Sequence, residues 1–174
     1  MSRRLFFGLK PDETVRNEID SAYRRRPDFN GRPHHPEDLH MTLLFLGQVD
    51  GTLDCIREAA AGIQVPKFTI ALDRIKYWPK PGVLLLHPSS PPELLSDLVV
   101  QLSTTMGGCG FEPEARPFKP HVTLARKAKT MADAKLKKSI DWHVGSFSLY
   151  VSSSRQTPPF YQVINQWPLL STDS

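Results

Sequence analysis

Cysteine is scarce. Cys55 and Cys109 are the only two in 174 residues, and neither has a close Cys or His partner at metal-ligand spacing. A disulfide framework or structural zinc site has no support at this level, so two reduced, structurally silent thiols are expected. Long hydrophobic runs are missing as well. No segment approaches the ~20 apolar residues that span a bilayer. The basic start, Ser2-Arg-Arg-Leu-Phe-Phe, leads into an apolar patch that ends within five residues, short of the ~7–15-residue core of an export signal. A cytoplasmic chain without membrane association is therefore expected. No linker is long enough to separate independent units, so residues 1–174 read as a single domain, or two small lobes sharing a core. Without a coiled-coil seam, nothing calls for more than a monomer. The absence of a Gly-rich phosphate loop or a nucleotidyl-transfer lysine leaves no cofactor to expect.

What is present is ordinary in bulk and specific in detail. Hydrophobic residues make up 40% and charged residues 23%, as in most soluble globular proteins. The formal charge is +4 and the pI about 9.2, which suits a polyanionic partner without requiring one. Strands are expected at 3–9, 40–46, 68–75, 83–86, 121–126, 147–151 and 160–167. Helices are expected from Asp12 as N-cap through Tyr23, over 53–63, and from Pro91-Pro92 to the glycines at 107 and 108. A short basic helix is expected over 132–138. Interleaved strands and helices with hairpin-like turns make the fold class α+β.

One internal echo outweighs the rest. His40-Met-Thr-Leu43 recurs as His121-Val-Thr-Leu124, about half a chain later. This suggests a duplicated lobe, with a pseudo-twofold axis bringing the copies face to face. In a strand, residues i and i+2 share a side, so His40 and Thr42 point one way while Met41 and Leu43 point into a core. His121 and Thr123, with Val122 and Leu124, repeat the arrangement. Two imidazoles and two hydroxyls on one face suit a phosphodiester. One neutral histidine can take a proton from attacking water, and a protonated one can give a proton to the departing oxygen. The threonines can hydrogen-bond the non-bridging oxygens. A zinc pair is the chemical rival, but neither histidine has a local third ligand. No metal is expected.

The paired motifs, the opening Arg4-Leu-Phe-Phe-Gly8, the Leu39–Gly47 block and Arg116-Pro-Phe-Lys-Pro-His-Val-Thr-Leu-Ala-Arg126 resemble the 2H phosphoesterase superfamily. Within it, the likeness is to RNA 2′,3′-cyclic phosphodiesterases, once described as 2′-5′ RNA ligases. The resemblance implies a bilobal fold, each pseudo-symmetric lobe an antiparallel sheet flanked by helices, with the motifs lining a central groove. It implies metal-independent hydrolysis of cyclic phosphates on RNA ends or nucleotides to 2′-phosphomonoesters, with His40 as acid toward O3′ and His121 as base. The residues themselves leave those two roles interchangeable. End-joining at the same site and a non-catalytic RNA-binding module are the alternatives.

Arg126 matches a family arginine that contacts phosphate, yet strict alternation points it away from the motif face. Phe45, at the same offset from His40, meets the same objection. A bulge after each threonine would swing both side chains onto that face, where Phe45 could stack on a base; otherwise Phe45 packs in the core. His34 and His35, in the loop before the first motif, either border the groove or, on the stronger reading, are exposed loop residues, and His87 and His143 read as structural or exposed. Arg24 to Arg26 and Lys127, Lys129, Lys135, Lys137 and Lys138 are either a solvated face or a guide for RNA. Trp78 and Trp142 belong to the core or rim.

Overall fold

The computed structural model describes residues 2–24, 26, 28–112, 115–129 and 132–171. Among these described residues, nine strands and three α-helices follow one another as β1 (Arg3–Leu9), α1 (Glu13–Arg24), β2 (Arg32–Pro33), β3 (Met41–Val49), α2 (Asp54–Ala61), β4 (Phe68–Trp78), β5 (Val83–His87), α3 (Glu93–Gly107), β6 (Val122–Arg126), β7 (Ala134–Val144), β8 (Ser146–Ser152) and β9 (Tyr161–Pro168). The strand order is β7-β4-β5-β6-β3-β1-β8-β9, with β2 added to β6. Every registered strand pair is antiparallel. The fold is α+β and falls into two four-stranded halves, β7-β4-β5-β6 and β3-β1-β8-β9, that meet where Met41 pairs with Val122.

Local signals account for most element ends. The Asp12 carboxylate accepts from the Val15 amide at 2.8 Å, capping α1 as its position predicts. Val15, Ile19 and Tyr23 form the buried stripe of that helix. α1 packs on β7 of one half and α3 on β3 of the other, while α2 lies against α3 and β9. Both halves contribute to one contiguous hydrophobic cluster, which includes Leu5, Phe7, Met41 and Leu149 from one side and Ile70, Leu86, Val122 and Trp142 from the other. No helix among the described residues is long and apolar enough to cross a membrane.

Two expectations about elements are corrected. Residues 134–138 open β7 rather than forming a basic helix. Ala134 and Lys135 pair with Ile75 and Arg74 of β4, and Ile140, Trp142 and Val144 then alternate into the core. That two-residue period over the whole strand overrides the local helix propensity of the lysines. Those lysines suit an edge strand, where charge discourages further pairing. Gly47 does not end its strand either. β3 continues to Val49, and Gly47 adopts φ +77° where the β1 register shifts.

The two cysteines are also corrected: Cys55 and Cys109 form a disulfide. Cys55 lies on α2, and Cys109 lies in the turn after α3. The packing of α2 on α3 brings them together, which their sequence separation of 54 gives no way to foresee. A crosslink closing a loop of that size removes up to ~4 kcal/mol of chain entropy from the unfolded state in the simple loop-closure model. Replacing both by serine is expected to cost about 2–4 kcal/mol. Urea unfolding of the double variant beside the native protein checks this, and coincident midpoints would refute it.

Candidate active site

Each motif strand carries the same irregularity at the same residue. Thr42 pairs with Gly8 and Leu44 with Phe7, so Leu43 is an extra residue in β3. Thr123 pairs with Leu85 and Ala125 with Leu84, so Leu124 is an extra residue in β6. A bulge puts two consecutive side chains on one side of the sheet. Leu43 and Leu44 are accordingly both buried, as are Leu124 and Ala125, while Phe45 and Arg126 are exposed. The parity change therefore turns position +5 from each histidine onto the face carrying the histidines. Core packing of Phe45 is overturned, since the ring is 57% exposed.

The two bulged strands meet at the Met41–Val122 pair. Continuing that antiparallel register sets His40 opposite Thr123 and Thr42 opposite His121. Met41 and Val122 are fully buried on the other side. The two histidines flank this pair, close enough for His121 to oppose protonation of His40.

Both rings are oriented by the same local device. His40 Nδ1 lies 2.8 Å from the Asp38 carbonyl oxygen and His121 Nδ1 2.8 Å from that of Lys119. A carbonyl only accepts, so each Nδ1 carries a hydrogen and each Nε2 is left for chemistry. In the neutral form, His40 Nε2 accepts from the Thr42 hydroxyl at 3.0 Å. Burial pushes the His40 imidazole down to about 4, outweighing the Asp38 carbonyl and carboxylate that favour its charged form; His121 and Arg126 add to the depression. His121 is also lowered, chiefly by burial, with His87 contributing. Both are neutral at pH 7 in the free protein.

Aromatic rings surround the two imidazoles. Phe6, Tyr150 and Tyr161 lie 5.0, 5.4 and 4.8 Å from the His40 ring, and Phe6 stacks on Tyr150. Trp78 lies 5.0 Å from His121, so it belongs to the rim, whereas Trp142 is core. Asp38, only 2% exposed, accepts from the amides of Phe160 and Tyr161 at 2.9–3.1 Å. It thereby holds the start of β9, and with it Tyr161, beside His40. Sequence reading missed Asp38, whose role depends on a partner more than a hundred residues away.

His34 is corrected from an exposed loop residue to a half-buried one, close enough to Arg126 and His40 to feel both charges. The other loop and strand-end histidines behave as expected. His35 is exposed and caps the turn at residues 36–38, His87 bonds the Pro88 carbonyl, and exposed His143 bonds Thr69. Arg26, Lys135, Lys137 and Lys138 line a groove between α1 and β7, with Glu18 on its wall. Lys127 and Lys129 are exposed beyond β6, and Arg25 lies outside the described residues. Among the described residues, no group of three or more His, Cys, Asp or Glu side chains is arranged to hold a metal ion.

Comparison with known proteins shows the family. Residues 11–156 match the family model described as the 2′-5′ RNA ligase superfamily. An RNA 2′,3′-cyclic phosphodiesterase from Escherichia coli (strain K12) is 32% identical over 171 residues, 96% of this chain and 97% of the relative. One from Bacillus subtilis (strain 168) is 33% identical over 129 residues, 70% of each chain. Crystal structures of E. coli LigT in apo form and complexed with 3′-AMP each superpose with a TM-score of 0.86 at 30% identity, covering 97% of this chain and 98–99% of theirs. The chain, with its twin His-x-Thr-Leu strands, belongs to the 2′-5′ RNA ligase superfamily.

Proposed function

We propose that this protein hydrolyses 2′,3′-cyclic phosphates on RNA ends or nucleotides to 2′-phosphomonoesters, by two-histidine general acid–base catalysis without a metal. The observation that carries this reading is the pairing of two identically bulged motif strands, which sets two tautomer-fixed imidazoles on one face. The names of the relatives support the substrate class. The E. coli relative's complex with 3′-AMP supports a site of nucleotide size.

In this mechanism His121 Nε2 takes a proton from water as the water oxygen bonds to phosphorus. The P–O3′ bond breaks, and His40 Nε2–H gives its proton to O3′. Since burial keeps His40 neutral in the free protein, that proton is taken up with the substrate. The anionic phosphate then stabilises the imidazolium that Arg126 and burial oppose. Thr42, Thr123 and Arg126 hold the non-bridging oxygens, and exposed Phe45 supplies a stacking platform for the base. We further propose a single bilobal domain acting as a monomer in the cytoplasm, where RNA ends are met. The contiguous core, to which both halves contribute, supports the single domain.

His40→Ala and His121→Ala are each expected to lower kcat on a 2′,3′-cyclic nucleotide about 10²–10⁴-fold in the presence of chelator. Undiminished turnover by either variant would remove the mechanism, and loss of native turnover on chelation would remove its metal independence. The acid role has its own test. An aryl phosphodiester has a leaving group that departs without protonation, so His40→Ala is expected to keep most of its activity there, while His121→Ala does not. Equal losses would refute the assignment.

The pH dependence follows from the depressed imidazoles. The reaction needs the pair to hold one proton, and both free-enzyme histidines lie below the ordinary ~6.5. The kcat/KM profile is therefore expected to peak on the acid side of neutrality and fall about tenfold per pH unit once above the higher apparent value. The falling limb of kcat lies at higher pH, because bound phosphate favours the imidazolium. A kcat/KM profile flat to pH 9 would contradict this.

A further inference from the structure

His34 belongs to neither motif, and the structure places it among them. The segment before it is clamped onto the end of β6 and the turn that follows. Asn30 Oδ1 accepts from the Lys129 amide at 2.6 Å, Arg32 and Pro33 pair with Arg126 and Ala125, and the His34 amide donates to the Leu124 carbonyl at 2.8 Å. Gly31 permits so close an approach. It has φ +94°, and a Cβ there would meet the Arg126 carbonyl oxygen at 2.9 Å and Ala128 at 3.1 Å. The backbone of His34 is thus fixed against the bulge that turns Arg126 onto the motif face.

The side chain is left incomplete by this arrangement. His34 Nδ1 is buried and has no hydrogen-bond partner. The charged or titratable groups near it are Arg126 on β6, His40 ahead of β3 and Asp38 in the turn between. The Asp38 carboxylate is engaged by the Phe160 and Tyr161 amides, and Arg126 is a cation with no lone pair to offer. A buried polar atom in a native fold is normally satisfied. In the tautomer that carries its hydrogen on Nδ1, this nitrogen lacks an acceptor, and the neighbouring guanidinium favours one that is negatively charged. A phosphate oxygen is such an acceptor, and it would also offset the repulsion by which Arg126 disfavours charge on this ring.

We propose that His34 is a third histidine of the substrate face, whose Nδ1–H donates to a non-bridging phosphate oxygen beside Arg126. This rests on the hydrolytic reading above. As a neutral donor, His34 adds binding without adding a fixed charge. It contacts the ground state and the transition state alike, so its loss is felt in KM more than in kcat.

The experiment uses the intact protein, a 2′,3′-cyclic nucleotide as substrate and inorganic phosphate as probe. His34→Leu, similar in size and without a donor, is expected to raise KM and the inhibition constant for phosphate about tenfold each, with kcat changed less. His34→Asn, whose amide nitrogen falls near the position of Nδ1, is expected to recover most of the loss. In the native protein, the ¹⁵N signal of His34 Nδ1 is expected to move on titration with phosphate; this needs no variant to fold. If native turnover is normal but KM and phosphate inhibition are unchanged in His34→Leu, or the His34 signal stays still at saturating phosphate, this proposal is overturned and the hydrolytic reading stands. A native protein that turns over no cyclic phosphate overturns that reading, and this proposal with it.

Discussion

The candidate site depends on one strand pairing. The Met41–Val122 pair joins two half-sheets into one sheet, and both side chains are fully buried. Because strand side chains alternate, burying these two residues forces their neighbours, His40, Thr42, His121 and Thr123, to the opposite face. A slip of one residue would send the histidines into hydrocarbon and the apolar pair toward solvent. The hydrophobic core that binds the halves together is thus also what sets the imidazoles in register. Helix packing reinforces it, since α1 lies on β7 and α3 on β3, each in a different half.

The paired bulges extend that logic. A regular strand would bury alternate residues and send Arg126 and Phe45 away from the histidines. One extra residue at Leu43 and another at Leu124 reverses the parity locally. The leucine that ends each motif is the residue accommodated, and it stays buried with its successor. This explains why the repeated unit extends to the leucine: the first and third residues supply the polar face, and the fourth is the extra residue that brings position +5 to it. The clamp of residues 30–34 against the end of β6 then adds a third polar element to a surface that the two strands alone would leave open on that side.

Burial governs the electrostatics. Phe6, Tyr150 and Tyr161 pack about His40, and Trp78 packs against His121. Burial among these rings disfavours the charged form of both imidazoles. Backbone carbonyls two residues upstream fix the same tautomer in both rings. The site at rest is therefore a set of neutral, oriented imidazoles beside Arg126.

The repeated tetrapeptide, the strands that carry it, the capped first helix and the α+β class were legible in the sequence because each rests on local periodicity or on side-chain chemistry a few residues long. The possibility of a bulge was also legible, since Arg126 and Phe45 posed a parity problem that only an extra residue solves. Tertiary structure decided whether the problem was solved, because a bulge is defined by two partner strands. It also decided the Cys55–Cys109 bond, the strand at 134–144, the bond from Asp38 to the start of β9 and the burial of His34. Each of these depends on contacts between segments tens of residues apart, and spacing along a chain carries no information about which distant surfaces will meet.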